Sequence, residues 1–140
     1  MAQYLIEDIM QPEPVCAHSG QLLIDVVEIL TRYKNTGIPV VDDRRRVVGF
    51  ISEQDCIHSL LATSYFCEGN PRVDEVMSHA PLCVGPRDSV IDLARTMGGN
   101  KPKVYPVVED GVLIGLVTRN DVLKALRKEA MNCSLPRKTG

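Results

Sequence analysis

The chain has 140 residues and a formal net charge of −2, with 16 Lys and Arg against 18 Asp and Glu. So even a balance gives no basic footprint for nucleic acid, and with no Trp, four Tyr and two Phe a base-stacking platform is poorly supplied. Hydrophobic residues at 44% and charged residues at 24% suit a folded domain, or two small units sharing a core, and no apolar run reaches the ~18 residues of a membrane helix. The start, MAQYLIEDIM, lacks the basic region and long apolar stretch of a signal peptide, so a cytoplasmic protein with no membrane partner is expected. Five cysteines, an odd number without a C-x-x-C pair, fit free thiols better than a disulfide framework.

In chain order, a short helical turn over residues 5–10 precedes an extended stretch at Val15-Cys16-Ala17. An amphipathic helix follows, with Leu23, Val26, Val27, Leu30 and Tyr33 spaced to line one buried face. The β-branched runs IPVV and VVGFIS, with Asp42-Asp43 between them, predict a hairpin. A closing helix carries Ile57, Leu60 and Leu61. Residues 63–72 extend that helix and lead into a linker around Glu68-Gly69-Asn70-Pro71; Tyr65, Phe66 and Cys67 there are read as a packing or dimer patch.

The same order then returns. A turn at 73–77 and an extended Leu82-Cys83-Val84 precede a helix with Val90, Leu93, Ala94 and Met97, capped by Asp88 and stopped at Gly98-Gly99. A second hairpin, YPVV and LIGLVT around Asp110-Gly111, leads to a helix bearing Val122, Leu123 and Leu126. From Glu129 the periodicity fades, which predicts a mobile tail over 129–140.

This return is a true internal repeat. At an offset of 67, Met10 falls on Met77, Pro14 on Pro81, Cys16 on Cys83, Ile24-Asp25 on Ile91-Asp92, and Pro39-Val40-Val41 on Pro106-Val107-Val108. One residue is lost in a loop, after which GFISEQD (49–55) falls on GLVTRND (115–121). The fold class expected is α+β, a β-α-β-β-α unit written twice over residues 5–62 and 73–128, the two copies packed as one pseudo-two-fold module.

Each copy ends its hairpin on [Ser/Thr]-x-x-Asp: Ser52 to Asp55, and Thr118 to Asp121. A hydroxyl three residues before an acid is also how helices start, so a simple cap competes with a ligand site here. Gly49 and Gly115, three residues earlier, could admit close approach of a ligand. The histidines do not have the spacing of a metal set, and no nucleophile motif or phosphate loop occurs.

The repeated x-x-Pro-Val-Val segment, the Gly-h-h-h-[Ser/Thr]-x-x-Asp ending (h being hydrophobic) and the Met ahead of the first strand resemble the cystathionine-β-synthase (CBS) domain, which comes in tandem pairs. The resemblance covers the chain to about Arg127. It implies a non-catalytic regulatory pair with ligand clefts between its repeats, taking an adenosine-containing molecule such as AMP, ADP, ATP or S-adenosylmethionine. It further implies a homodimer and an unidentified protein partner.

Carried over by position, Asp55 and Asp121 would accept the two ribose hydroxyls, and Ser52 and Thr118 would sit near phosphate or ribose. Gly37-Ile38-Pro39 and Val104-Tyr105-Pro106 would border the base, and Cys16-Ala17 and Cys83-Val84 would line the same clefts. The copies differ in charge. Arg119 follows Thr118 and Lys103 precedes Val104, where the first copy has Glu53 and Thr36. The Asp121 cleft is therefore the expected main nucleotide site. The competing class is a constitutive dimerisation or scaffold module whose clefts stay empty.

Overall fold

The structure is a computed structural model; it describes residues 4–66, 69–79 and 81–134, with side chains outside 63–66 and 133–134. The expected patch at Tyr65, Phe66 and Cys67 lies outside those described side chains. In the first copy the elements are α1 (Ile6–Ile9), β1 (Gln11–Pro12), β2 (Ala17–His18), α2 (Leu23–Tyr33), β3 (Gly37–Val41), β4 (Val47–Ser52) and α3 (Glu53–Phe66). The second copy gives α4 (Val73–Val76), α5 (Val90–Thr96), β5 (Val104–Glu109), β6 (Val112–Thr118) and α6 (Arg119–Ser134).

The hairpins form where the β-branched runs predict them. In β3–β4, Ile38 faces Ile51 and Val40 faces Gly49; in β5–β6, Tyr105 faces Val117 and Val107 faces Gly115. In the first turn the Asp42 carboxylate accepts the Arg44 and Arg46 N–H groups, each at 2.9 Å. The second closes in two residues, Asp110 (φ 54°) and Gly111 (φ 81°), both left-handed as a type I′ turn requires. The residue lost between the repeats falls in this turn. The two tips join: Leu113 N–H donates to Arg45 C=O at 2.9 Å and Val47 N–H to Gly111 C=O at 3.2 Å.

The leading segments are exchanged between copies. Ile6 of α1 is fully buried with Val90, Leu93, Tyr105 and Val122 of the second copy, while Val73 and Met77 complete the core of Leu23, Val26, Ile38 and Ile51 in the first. Burying one such aliphatic side chain contributes roughly 1.5–3 kcal/mol. Main-chain bonds fix the exchange: Ile6 N–H donates to Asp88 C=O at 2.9 Å, and Val73 N–H to Gln21 C=O at 2.8 Å. β1 adds to β6, giving a sheet ordered β1-β6-β5, and Ser78 pairs with Phe50 beside the sheet β2-β3-β4.

This exchange accounts for the two motif glycines. The space that their missing side chains leave is filled by protein. A Cβ on Gly115 would lie 2.6 Å from Met10 Sδ and 3.0 Å from Gln11 O, and one on Gly49 would meet Met77 Sδ and lie 2.8 Å from Ser78 O. Close approach is indeed what these glycines permit, but by the exchanged strand rather than a ligand.

Several expectations shift in detail. Tyr33, Ile57, Leu61 and Leu123 are 53–67% exposed, whereas Cys56 and Ala125 take the buried positions on the closing helices. The cap of α5 is Ser89, whose Oγ accepts Asp92 N–H at 3.3 Å, while Asp88 turns back to accept Gly85 N–H at 2.7 Å. In the second copy the extended stretch makes, among the described residues, a single bridge, Val84 to Val107. The last helix runs to Ser134, past the Glu129 at which a mobile tail was expected to begin.

Candidate functional site

Both [Ser/Thr]-x-x-Asp motifs sit where a β-strand turns into a helix. Ser52 Oγ accepts Asp55 N–H at 3.1 Å, and Asp55 Oδ2 accepts Ser52 N–H at 3.1 Å. Thr118 and Asp121 repeat the pattern at 3.1 and 2.9 Å, with Thr118 Oγ1 a further 3.0 Å from Oδ2. Each motif is thus a capping box in which the short Asp side chain suffices. Capping uses one carboxylate oxygen only. Among the described residues, Oδ1 of each aspartate accepts no hydrogen bond, and both residues are half-buried. Oδ2 of Asp121 has one partner more, Gln11 Nε2 at 3.0 Å.

Two clefts open beside these caps, each bordered by strand residues of the hairpins and by the first turn of a closing helix. One, of about 580 Å³, is bordered by Ser52, Glu53, Asp55, Ser78, Leu82, Lys101, Lys103, Val104 and Pro106. The other, of about 510 Å³, is bordered by Gln11, Lys34, Asn35, Gly37, Leu116, Thr118, Arg119, Lys103 and Val104. Each takes residues from both copies: Lys103 and Val104 of the second copy meet Ser52 and Asp55 at the first cleft, Lys34 and Gly37 of the first copy meet Thr118 and Arg119 at the second, and the exchanged segments add Ser78 and Gln11. Their charge differs. The Asp55 cleft sets two acids, Glu53 and Asp55, against Lys101 and Lys103, whereas Lys34, Lys103 and Arg119 border the Thr118 cleft, whose lining has no acid; Asp121 caps the helix behind Thr118 and is not itself on that lining.

The expected site residues divide accordingly. Ser52, Asp55, Lys103, Val104 and Pro106 meet at the first cleft; Gly37, Thr118, Arg119, Lys103 and Val104 meet at the second. Ala17, Ile38 and Tyr105 are 0%, 0% and 1% exposed and belong to the cores instead. The alternation of a strand explains this: Ile38 and Tyr105 point to the helices, so their neighbours Gly37, Val104 and Pro106 face the clefts. Pro39 is likewise buried.

Cys83, Val84 and Tyr105 border a separate hollow of about 610 Å³ against α5, where the buried Tyr105 hydroxyl has no hydrogen-bond partner among the described residues. Cys16 is half-buried near Arg45; burial pushes its thiol pKa up against the pull of that guanidinium. Lys34, Lys101, Gln11 and Ser78 were not expected. The last two lie on the exchanged segments, and Lys34 is the C-cap of α2, in a left-handed conformation (φ 55°).

Residues 6–62 and 73–128 match the family model of the CBS domain. The chain belongs to the CBS domain family. It is 30% identical over 153 aligned positions to the uncharacterised protein MJ1426 of Methanocaldococcus jannaschii, covering 87% of this chain and 90% of that protein. Two further relatives are longer, and the chain spans 42% and 39% of their lengths. The CBS pair of Arabidopsis thaliana CBSX2, solved in complex with AMP, superposes with a TM-score of 0.79 at 30% identity, covering 91% of this chain and 98% of that one. The CBS pair of MJ0100, solved with 5′-methylthioadenosine and S-adenosyl-L-methionine, gives 0.74 at 25% identity, covering 88% and 99%. No helix among the described residues is long and apolar enough to cross a membrane.

Proposed function

We propose that this CBS pair is a non-catalytic regulatory module that binds an adenosine-containing nucleotide of the AMP, ADP or ATP class, with the Thr118 cleft as its main site. The observation that carries the reading is the convergence of Lys34, Lys103 and Arg119 on that cleft, next to Thr118, whose capping partner Asp121 has an Oδ1 that accepts no hydrogen bond among the described residues. Three cations suit a phosphate, and a guanidinium adds paired donors. Asp121 Oδ1 accepts a ribose hydroxyl, while Gly37 and Val104 leave room for the flat base. The AMP complex of CBSX2, a 30% identical pair, supports the ligand class.

In the Asp55 cleft Glu53 takes the place of Arg119, which suits a less charged adenosyl ligand such as S-adenosylmethionine. Binding across both copies favours one relative packing of the hairpins, and a partner protein reads that packing, through differential affinity for the two states. Calorimetric titration of AMP, then ATP, into nucleotide-free protein tests this. Saturable binding whose tighter step is lost in Asp121→Ala is expected. Binding lost in Asp55→Ala but intact in Asp121→Ala would reverse the order of the two clefts.

A second reading, a constitutive dimerisation module with empty clefts, is favoured by the outward faces of the helices. Ile24 on α2, and Ile57 and Leu61 on α3, are 63%, 58% and 67% exposed. Absence of heat from AMP, ATP and S-adenosylmethionine, with a dimer mass in light scattering, would support it. The two readings share the homodimer and differ in the ligand.

A further inference from the structure

We propose that Lys103 is a phosphate ligand held in common by the two clefts, so that two phosphate-bearing ligands compete for one ammonium group and bind anticooperatively. This rests on the adenosine-ligand reading above. Lys103, Val104 and Thr36 are the residues that border both clefts, and so form the wall between them. Of the three, only Lys103 carries charge.

The repeat makes this arrangement unequal. Thr36 holds in the first copy the position that Lys103 holds in the second. A symmetrical pair would have one cation for each cleft; here the dividing wall has a hydroxyl on one side of the pseudo-two-fold and a single ammonium on the other. The other cations are private: Lys101 borders only the Asp55 cleft, and Lys34 and Arg119 only the Thr118 cleft.

The Lys103 main chain is fixed, its carbonyl accepting Arg119 N–H at 2.8 Å where α6 begins. Its side chain is exposed, and among the described residues no carboxylate lies within ion-pairing distance of it. A four-carbon stem ending in a point charge with three rotatable donors can turn to either side of the wall. It cannot serve both sides at full strength. The first phosphate to arrive takes the ammonium, and the second meets a wall already neutralised. By linkage the penalty is the same whichever cleft fills first. A ligand without phosphate escapes it.

The test is titration of AMP, with adenosine as the phosphate-free comparator, into Asp55→Asn and Asp121→Asn proteins, each with and without Lys103→Met. The amide keeps an oxygen to cap the helix, so each background impairs one cleft while sparing its fold. Lys103→Met is expected to weaken AMP about ten-fold in both backgrounds, the order of one charge-assisted hydrogen bond, and to leave adenosine unchanged. With both aspartates intact, the two AMP steps should lie further apart than the two adenosine steps, and Lys103→Met should draw them together.

A loss confined to one background would assign Lys103 to that cleft alone and overturn the sharing, while leaving the nucleotide reading intact. An equal loss for adenosine would make the lysine a structural residue and overturn it too. No AMP binding by the wild-type protein would overturn this inference, and failure of ATP and S-adenosylmethionine to bind as well would end the adenosine-ligand reading. Unchanged far-ultraviolet circular dichroism of Lys103→Met separates each of these outcomes from misfolding.

Discussion

Gln11 Nε2 donates to Asp121 Oδ2 across 3.0 Å, joining the first strand of one repeat to the motif acid of the other. A ligand that needs Asp121 meets a carboxylate already engaged on that side. Gln11 is exposed, so its bond contributes about 1 kcal/mol at most. Gln11→Ala is therefore expected to tighten AMP binding a few-fold in calorimetry and to change the unfolding free energy by less than ~1 kcal/mol. Weaker binding would mean instead that Gln11 itself holds the ligand.

The capping boxes separate stability from binding. Asp55→Ala and Asp121→Ala each remove a side chain that accepts the main-chain N–H of its own cap residue, at a cost of about 1 kcal/mol in urea unfolding. The corresponding Asn variants keep an acceptor and should regain most of that. If Asn restores stability but not AMP affinity, the carboxylate is required for the ligand and not merely for the helix.

The glycines at the exchanged strands allow a comparison by contact. Gly49→Ala brings its new methyl to 2.8 Å from the Ser78 carbonyl oxygen, and Gly115→Ala to 3.0 Å from that of Gln11. Both contacts are with backbone, which cannot turn aside as a thioether can. Each substitution should destabilise by about 1–3 kcal/mol, Gly49→Ala the more. Denaturant midpoints measured at constant slope would rank them.

Asp74 gives a dependence on pH. It accepts hydrogen bonds from the Ser19 hydroxyl and from Gly20 N–H, the latter at 2.6 Å, and these hold its carboxyl below the usual carboxylate range. A depressed acid stabilises the fold fully above its unfolded pKa, near 3.9, and loses that contribution as pH falls through its folded value. The stability difference between wild type and Asp74→Asn should therefore be constant above about pH 5 and shrink below about pH 4. A difference that grows on acidification would contradict the assignment.

The thiols should react in order of access. Cys56 is buried, and burial together with Asp55 and Glu53 pushes its pKa up to about 11, whereas Cys83 is exposed. The thiolate is the reactive form. At pH 8 iodoacetamide should modify Cys83 in the native protein, and Cys56 only after denaturation, as read by peptide mass.

The repeat, the hairpins and their turns were legible because each is written locally: β-branched runs, an Asp-Gly turn, and a 67-residue offset that aligns them. The caps at Ser52 and Thr118 were legible for the same reason. What was not legible is partnership. Ile6 and Val73 occupy matching positions, and nothing in either helix says whether it packs in its own copy or the other. Gln11, Ser78, Lys34 and Lys101 stayed hidden with it, since they reach the clefts only through tertiary placement. Tyr105 and Ile38 lie in the segments expected to border the base, and strand alternation turns their side chains into the cores. On the closing helices, the aliphatic spacing favoured Ile57 and Leu61, whereas the buried stripe runs through Cys56.

Because each leading helix lies in the other copy's core, neither repeat is a complete folding unit. During synthesis the first core must wait for Val73 and Met77 to leave the ribosome, and Ile6 must wait until Val122 and Ala125 have followed it. A cut at Gly69-Asn70 would yield two halves that each lack a plug and carry the other's. Such fragments should have little structure alone and regain it only when mixed, so the smallest inheritable piece of this protein is the pair.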